Sequence, residues 1–406
     1  MPIVAPFAGL LYDPSVAGPL RGLTTPPYDQ ISASDQERFR RDSPFNAVRL
    51  ELGGPSPDEG DSDRYTQAGA LLSRWRQDGV LKEVPAPAVY PYEMRFQGLG
   101  AHRRVRGVIV EMELEPWGGS IIPHEGTLPG PLRDRLELLR AVRANLSPVY
   151  GVYQDRSAAL AALLDDVARR PPDREVTDEA GTRHSLWIAP EGNPIVPDVL
   201  RSRTVMIADG HHRYEVALVY REEMRALHGP GPWDRLMMLV VDASSEPPMV
   251  LPFHRALTRP APLPPDARRV RDLQELLAGL RDEELTVGTV RMEGSEAIHS
   301  LGTVSGRPPT VGALQEQLLE GVDPADVRYV ADAALAEAMV RGGDAHTAYL
   351  LPATTVERIR GVVDSGRRLP EKSTYFWPKP RTGMVFRLAF SPAAAPASSP
   401  PSPLPR

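Results

Sequence analysis

Cysteine is absent from all 406 residues. That absence removes disulfide staples, thiolate nucleophiles and cysteine-ligated zinc or iron–sulfur centres. Histidine is scarce at nine residues, so any metal must be held by those few imidazoles or by Asp and Glu. Positive charge is not in excess: the formal net charge is −6 with pI ≈ 5.9, which disfavours broad nucleic-acid or anionic-membrane binding. No window of about 18 uncharged apolar residues occurs. The opening MPIVAPFAGLLYDP lacks the basic segment and unbroken apolar stretch of a signal peptide, so a soluble cytoplasmic protein is expected. What remains is globular composition, 41% apolar and 25% charged, on a chain long enough for two domains.

Pro26 and Pro27 in TTPPYD hold an early loop extended, and Tyr28 and Asp29 at its tip are candidates to border a pocket. Ser32 with Asp35 marks a helix start before residues 34–41. Residues 46–52, NAVRLEL, alternate as a strand, and 64–77 read as a helix closed by Asp78-Gly79. Residues 88–97 and 103–114 form an expected hairpin. Pro131 suits the first turn of a helix with Leu132, Leu136, Leu139 and Val142 as its apolar stripe, ended by Asn145. Strands follow at 149–154, 204–208 and 236–241. Between the last two lies a helix with Val216, Ala217, Tyr220, Met224 and Leu227 on one face. The proline-rich 258–269 reads as a connector, and 391–406 as a low-complexity, disordered tail.

Three constellations can carry chemistry. In MIADGHHRYEVAL a strand turns into a helix at Asp209-Gly210-His211-His212-Arg213. A helix N-terminus offers unpaired N–H groups and partial positive charge, and His211, His212 and Arg213 reinforce it. Phosphate is the matching guest, with Gly210 allowing close approach and Asp209 available to Mg²⁺. The plainer alternative is an Asp209 cap with exposed histidines.

HEGT at 124–127 precedes a helix bearing Arg133, Arg135, Arg140 and Arg143. His124 and Glu125 can move a proton, Glu125 being the better base for activating a hydroxyl, while Thr127 and Arg135 suit substrate contacts. A surface loop before a solvated basic face is the alternative. The loop GRRLPEKSTYFWPKP offers Lys372, Ser373 and Thr374 as a phosphate anchor, or else packs by its aromatics on the core; it lacks the glycine-rich turn of a P-loop. Zinc on His124, His211, His212 and His254 is disfavoured, because adjacent helical residues diverge by about 100°.

Taken together, TTPPYD, HEGTLPGPLRDRLELLRA, NLSPVYGVY, IADGHHRYEVAL and KSTYFWPKP, in this order, resemble the prokaryotic family called domain of unknown function 1015. DGHHRYEVA further resembles the signature of the ParB/sulfiredoxin superfamily, whose glycine-to-arginine corner binds nucleotide phosphates. The resemblance implies a mixed α/β fold with a ParB/sulfiredoxin-like core and N-terminal elaboration in residues 1–257, and a C-terminal α/β region in 258–390. Sulfiredoxin chemistry is excluded, since His211 stands in place of its cysteine. What the resemblance implies is a phosphotransferase acting on a small hydroxylated metabolite, free L-serine first among them, with Mg²⁺ and ATP, ADP or pyrophosphate. On that reading Glu125, His124 and His211 are catalytic, Asp209 to Arg213 with Lys372, Ser373 and Thr374 hold the phosphates, and Tyr28, Asp29, Thr127 and Arg135 meet the substrate. The alternative is a ParB-like nucleotide-binding regulatory module contacting nucleic acid or a protein partner without turnover. The sequence carries no signal for oligomeric state.

Overall fold

The alternating stretches near residue 100 pair as β1 (Ala88–Gly98) and β2 (Ala101–Glu113), an antiparallel hairpin running from Tyr90 opposite Ile109 to Gly98 opposite Ala101. In this computed structural model, residues 1–53, 61–98, 100–126, 129–155, 157–190, 195–201 and 203–390 are described; Thr127 and the tail at 391–406 lie outside them. The hairpin sits within a ten-stranded mixed sheet that also contains β3 (Val149–Tyr153), β4 (Val205–Asp209) and β5 (Arg235–Asp242). β3 lies between β4, to which it is antiparallel, and β5, to which it is parallel. Val108, Val110 and Met112 from β2 and Met238 and Val240 from β5 are buried in one core cluster. The fold is therefore mixed α/β.

Three helices matter for the site: α1 (Asp61–Gln77), α2 (Pro129–Val142) and α3 (His211–His228). Leu139 of α2 packs with Val216, Tyr220 and Met224 of α3, with Leu132 and Leu136 alongside, as the 3.6-residue spacing demands. Leu227, expected on that face, is 74% exposed one turn beyond the contact. Gly69 of α1 lets the Ala141 carbonyl approach so closely that a Cβ there would stand 2.5 Å from its oxygen.

Two local expectations are corrected. Residues 46–52 are not a strand: Val48–Glu51 is one helical turn, because the Asn46 side chain accepts from the Val48 N–H at 2.9 Å and closes a helical start. Likewise α2 ends at Val142, before Asn145: Arg143 takes a left-handed φ of 52°, and Asn145 pairs with Arg387 in a short strand instead.

The chain divides into two compact units, the first comprising Met1–Ile122, Leu128–Pro247 and Pro378–Arg406, the second Pro123–Thr127 and Pro248–Trp377. Where the sequence reading placed a boundary after Leu257, the chain leaves the first unit after Pro247. The expected connector at 258–269 falls inside the second unit, where the Tyr349 hydroxyl donates to the Pro262 carbonyl.

The second unit is built on a six-stranded antiparallel sheet including β6 (His254–Leu257), β7 (Thr286–Glu293), β8 (Glu296–Thr303), β9 (Val327–Val330) and β10 (Thr347–Leu350). One face, with Ala256, Val290 and Ala348, is covered by Leu276 of α4 (Leu273–Ala278) and by Ala336 and Val340 of α5 (Ala333–Gly342).

His254 lies on this covered face and is 4% exposed, its Nδ1 accepting from the Leu351 N–H at 3.1 Å. Burial, with the adjacent Arg255 charge, pushes its pKa down to about 4. The folded protein thus refuses a proton that the unfolded chain takes up near pH 6.5. Its contribution is complete above pH 6.5 and is lost as pH falls toward 4, a change of about 3 kcal/mol. His254→Asn, which keeps an acceptor for Leu351, is expected to flatten the pH dependence of urea unfolding in that window; an unchanged slope contradicts this.

Candidate functional site

The first unit gathers charge where β4 meets α3. A register shift between Ile207 and Asp209 against β3 marks a bulge, which re-aims the strand end. Gly210 is the N-cap, with φ 93° and no capping side chain. A Cβ at Gly210 would stand 2.9 Å from the Arg213 guanidinium, so both backbone conformation and space require glycine. The Asp209 cap considered from the sequence is not what forms.

Instead, Asp209 Oδ2 accepts from Arg213 Nη2 at 2.6 Å, and Oδ1 accepts from Lys379 Nζ. Arg213 also donates through Nη1 to Ser147 Oγ at 2.9 Å and to the Pro148 carbonyl at 2.6 Å. The arginine is thereby locked across the loop into β3. His211 is buried in the first turn of α3, and His212 is half-buried.

The PPYD loop belongs to the same unit and joins this corner. Asp29 Oδ2 lies 3.8 Å from Lys379 Nζ. Tyr28 packs its ring against the Arg135 guanidinium, 4.0 Å from centroid to Cζ, and burial, then the Asp29 charge, pushes its phenol up to about 12. Arg135 is itself buried: Nη1 donates to Glu51 Oε2 at 2.9 Å, Nη2 to the Glu51 carbonyl at 3.1 Å and Nε to Asp134 Oδ2 at 2.7 Å. A cavity of about 60 Å³ opens among Glu51, Arg135, Ser147, Arg213, Leu139 and Val216. Arg140 is bound to Glu137 and Glu223 at the surface.

His124, Glu125, Lys372, Ser373 and Thr374 form a second group, in the second unit. The segment at 123–126 is pinned by the Leu369 N–H, which donates to the His124 carbonyl at 2.8 Å. His124, fully buried, lies 2.7 Å through Nε2 from Thr374 Oγ1, with its ring 5.6 Å from Phe376. Glu125 Oε2 accepts from the Ser373 N–H at 3.4 Å and is 3.9 Å from His124 Nε2. The hydroxyls anticipated as phosphate anchors have protein partners: Thr374 with His124, and Ser373 Oγ donating to the Pro370 carbonyl at 2.5 Å. Lys372 holds a left-handed φ of 53°, with Nζ 5.6 Å from the Phe253 ring. Burying the KSTYF aromatics and anchoring Glu125 are therefore one task of this loop.

The structure brings Tyr28, Asp29, Arg135, Asp209 and Arg213 into one neighbourhood, and His124, Glu125, Ser373 and Thr374 into another. Three residues that sequence reasoning passed over belong beside them: Lys379 and Glu51 in the first unit, Arg255 in the second. The signal for Arg255 was an arginine beside His254 in the strand HRAL. For Lys379 it was a second lysine in the quoted aromatic loop.

Among the described residues, no three His, Asp or Glu side chains gather as a ligand set, and both Asp209 oxygens already carry cations. No helix among them is long and apolar enough to cross a membrane.

Solved structures similar to this chain include a conserved hypothetical protein from Pyrococcus furiosus, 16% identical over 67% of this chain and 93% of that one, with a TM-score of 0.36. Another is a free serine kinase in complex with AMP, 15% identical over 66% and 86%, TM-score 0.35. A third is SbnI with a C-terminal truncation from Staphylococcus aureus, 11% identical over 66% and 85%, TM-score 0.32. A comparison with curated proteins finds no match. The family model described as protein of unknown function (DUF1015) matches residues 4–304, and the chain accordingly belongs to that family.

Proposed function

We propose that this protein is a phosphotransferase that moves a phosphoryl group to or from the hydroxyl of a small metabolite, with free L-serine as the first substrate to test and ATP, ADP or pyrophosphate as phosphoryl partner. The observation that carries the reading is the corner at the start of α3. Its N-cap is a glycine, its first turn bears His211, His212 and Arg213, and Lys379 adds a buried cation. Phosphoryl transfer needs fixed positive charge around the phosphates more than it needs covalent help, and this corner is that kind of environment.

Glu125 is assigned the proton of the acceptor hydroxyl, supported by its fixed position against the Ser373 amide and the His124 beside it. Mg²⁺ commonly keeps one or two carboxylates and takes the rest of its shell from phosphates and water, so it would arrive with the phosphates; Asp209 and Asp29 are the carboxylates at the corner. Arg135, tied to Glu51, is assigned to holding Tyr28 in place.

Phosphoserine formation from L-serine with ATP, ADP or pyrophosphate, assayed in both directions, tests the reading. Absence of turnover with every donor in a folded sample overturns it. CTP-dependent retention of DNA in a gel shift, without turnover, supports the ParB-like regulatory alternative instead.

Lys379→Met is expected to weaken pyrophosphate binding by about 10- to 100-fold, the scale of one hydrogen bond to a charged group. The loss is in part electrostatic: without the lysine, Asp209 and Asp29 face the ligand with one cation fewer. Calorimetric titration with pyrophosphate measures it, and equal affinity for variant and parent would remove Lys379 from the site.

A further inference from the structure

Two proline-stiffened arms of the first unit reach the corner at the start of α3. One is TPPYD, residues 25–29. Pro26 and Pro27 fix their own φ and hold the residues before them extended, and Pro27 stands at φ −54°, ψ 147°. Tyr28 and Asp29 at the tip therefore go where the root at Thr24 and Thr25 sends them. The other arm is PKP, in which Lys379 lies between Pro378 and Pro380. The two roots are joined. The Thr25 N–H donates to the Thr382 carbonyl at 3.1 Å and the Thr382 N–H to the Thr25 carbonyl at 2.9 Å. Arg381 Nη2 donates to the Thr24 carbonyl at 2.7 Å, and its Nε to Thr24 Oγ1 at 3.3 Å.

Arg381 is buried and has a second grip: Nη1 donates to Glu179 Oε2 at 2.6 Å and Nη2 to Oε1 at 3.3 Å, while Glu179 itself is 41% exposed. Its backbone N–H donates to the Tyr92 hydroxyl at 3.2 Å. That oxygen lies 2.9 Å from His184 Nδ1, and His184 Nε2 lies 3.1 Å from Asp178 Oδ2. Because Asp178 precedes Glu179, these contacts close a ring from the turn through His184 and Tyr92 to Arg381 and back. One residue is thus held by its backbone and its side chain at once. The threonine side chains of the bridge add nothing to the joint: Thr25 Oγ1 and Thr382 Oγ1, both buried, have no hydrogen-bond partner among the described residues. Arg381 is what ties the two roots together by side chain.

We infer that Arg381 is a positioning residue of the phosphate corner, the common root that holds the Asp29 arm and the Lys379 arm in place against Asp209. Lys379 Nζ donates to Asp209 Oδ1 and stands 3.8 Å from Asp29 Oδ2. Stiff arms carry a displacement of the root to that cation undiminished, and a misplacement of about 1 Å is enough to cost about 100-fold in rate. This role deepens the phosphotransferase reading and rests on it only for what the corner binds; the bracing of the two arms does not depend on it. Arg381 acts through Lys379 and Asp29 and makes no contact with the reacting groups.

Hydrogen–deuterium exchange and pyrophosphate calorimetry on the full chain, for the parent, Arg381→Met and Glu179→Ala, test the brace and its consequence separately. The Gln30 and Ile31 amides, bonded to the Pro27 and Tyr28 carbonyls, are expected to exchange about tenfold faster or more in Arg381→Met, the scale of one lost hydrogen bond to a charged group, with the β2 and β5 amides unchanged. Parent-like exchange at these two amides overturns the inference. Pyrophosphate affinity should fall about 10- to 100-fold in Arg381→Met, and the Arg381→Met/Lys379→Met double variant should bind within about threefold of Lys379→Met alone, because the arginine works through the lysine. Additive losses, or no loss in a folded Arg381→Met, remove the positioning role. Glu179→Ala, at an exposed position, keeps the Thr24 bonds and should give the same changes at smaller size; it decides the outcome in the same way if Arg381→Met does not fold. If the parent binds no pyrophosphate and forms no phosphoserine, the transferase reading falls and the exchange comparison still decides the brace. Parent-like exchange in an Arg381→Met protein that forms phosphoserine does the reverse.

Discussion

Glu125→Gln is expected to slow phosphoserine formation by about 10²- to 10⁴-fold, the range lost when a positioned general base is removed, while changing neither the fold nor the affinity for pyrophosphate by more than a few-fold. The expectation follows from what Glu125 touches. Its Oε2 accepts the Ser373 N–H, and a glutamine carbonyl oxygen can accept the same bond, so the loop at 369–375 keeps its anchor. The neighbouring His124 remains held by Thr374 and by the Leu369 amide. What disappears is the basicity and the negative charge that acts on Arg255. A steady-state comparison of kcat and KM, with the melting temperature of both proteins, decides the matter. Retained kcat would move the base elsewhere, and a large drop in melting temperature would make Glu125 a structural residue.

The site was legible in the sequence where local physics decides it. Gly210 before two histidines and an arginine announces a helix start with positive character, and α3 begins there at His211. The β1–β2 hairpin and the α2–α3 packing were likewise written in periods of two and 3.6 residues. What was hidden depends on the chain returning from a distance. Lys379 sits 170 positions from Asp209, and no local pattern says that Pro378 re-enters the first unit. Glu51 was read onto a strand, where it would alternate with its neighbours; one turn of helix turns it onto Arg135, 84 positions away. Residues 123–127 form so short a piece of the second unit that no composition shift could mark them. Arg135 stood out as one of four arginines on a basic helix, each a planar fork for phosphate or carboxylate, but a fork serves a buried protein carboxylate, here Glu51, as well as a ligand.

That last ambiguity has an experimental resolution. Arg135→Met should lower the unfolding free energy by about 3–5 kcal/mol, because it strands the buried Glu51 carboxylate. Arg135 and Glu51 are 5% and 4% exposed, and Glu51 Oε1 already lacks a hydrogen-bond partner among the described residues, so no spare donor stands ready. The Tyr28 ring would lose its cation partner at the same stroke. Because a stranded charge, more than the missing contact, accounts for most of the loss, adding Glu51→Leu should restore much of the stability: replacing both members of a buried ion pair by apolar groups is often close to neutral. Urea unfolding of the two single variants and the double variant measures that coupling. The double variant then separates the two roles of Arg135. If the arginine serves only to neutralise Glu51, activity should return with stability; if it also holds Tyr28 or the substrate, stability should return and the KM for serine should stay high. A double variant no more stable than Arg135→Met would show that the packing around Leu138 and Leu139, and not the charge, was the larger part of the effect.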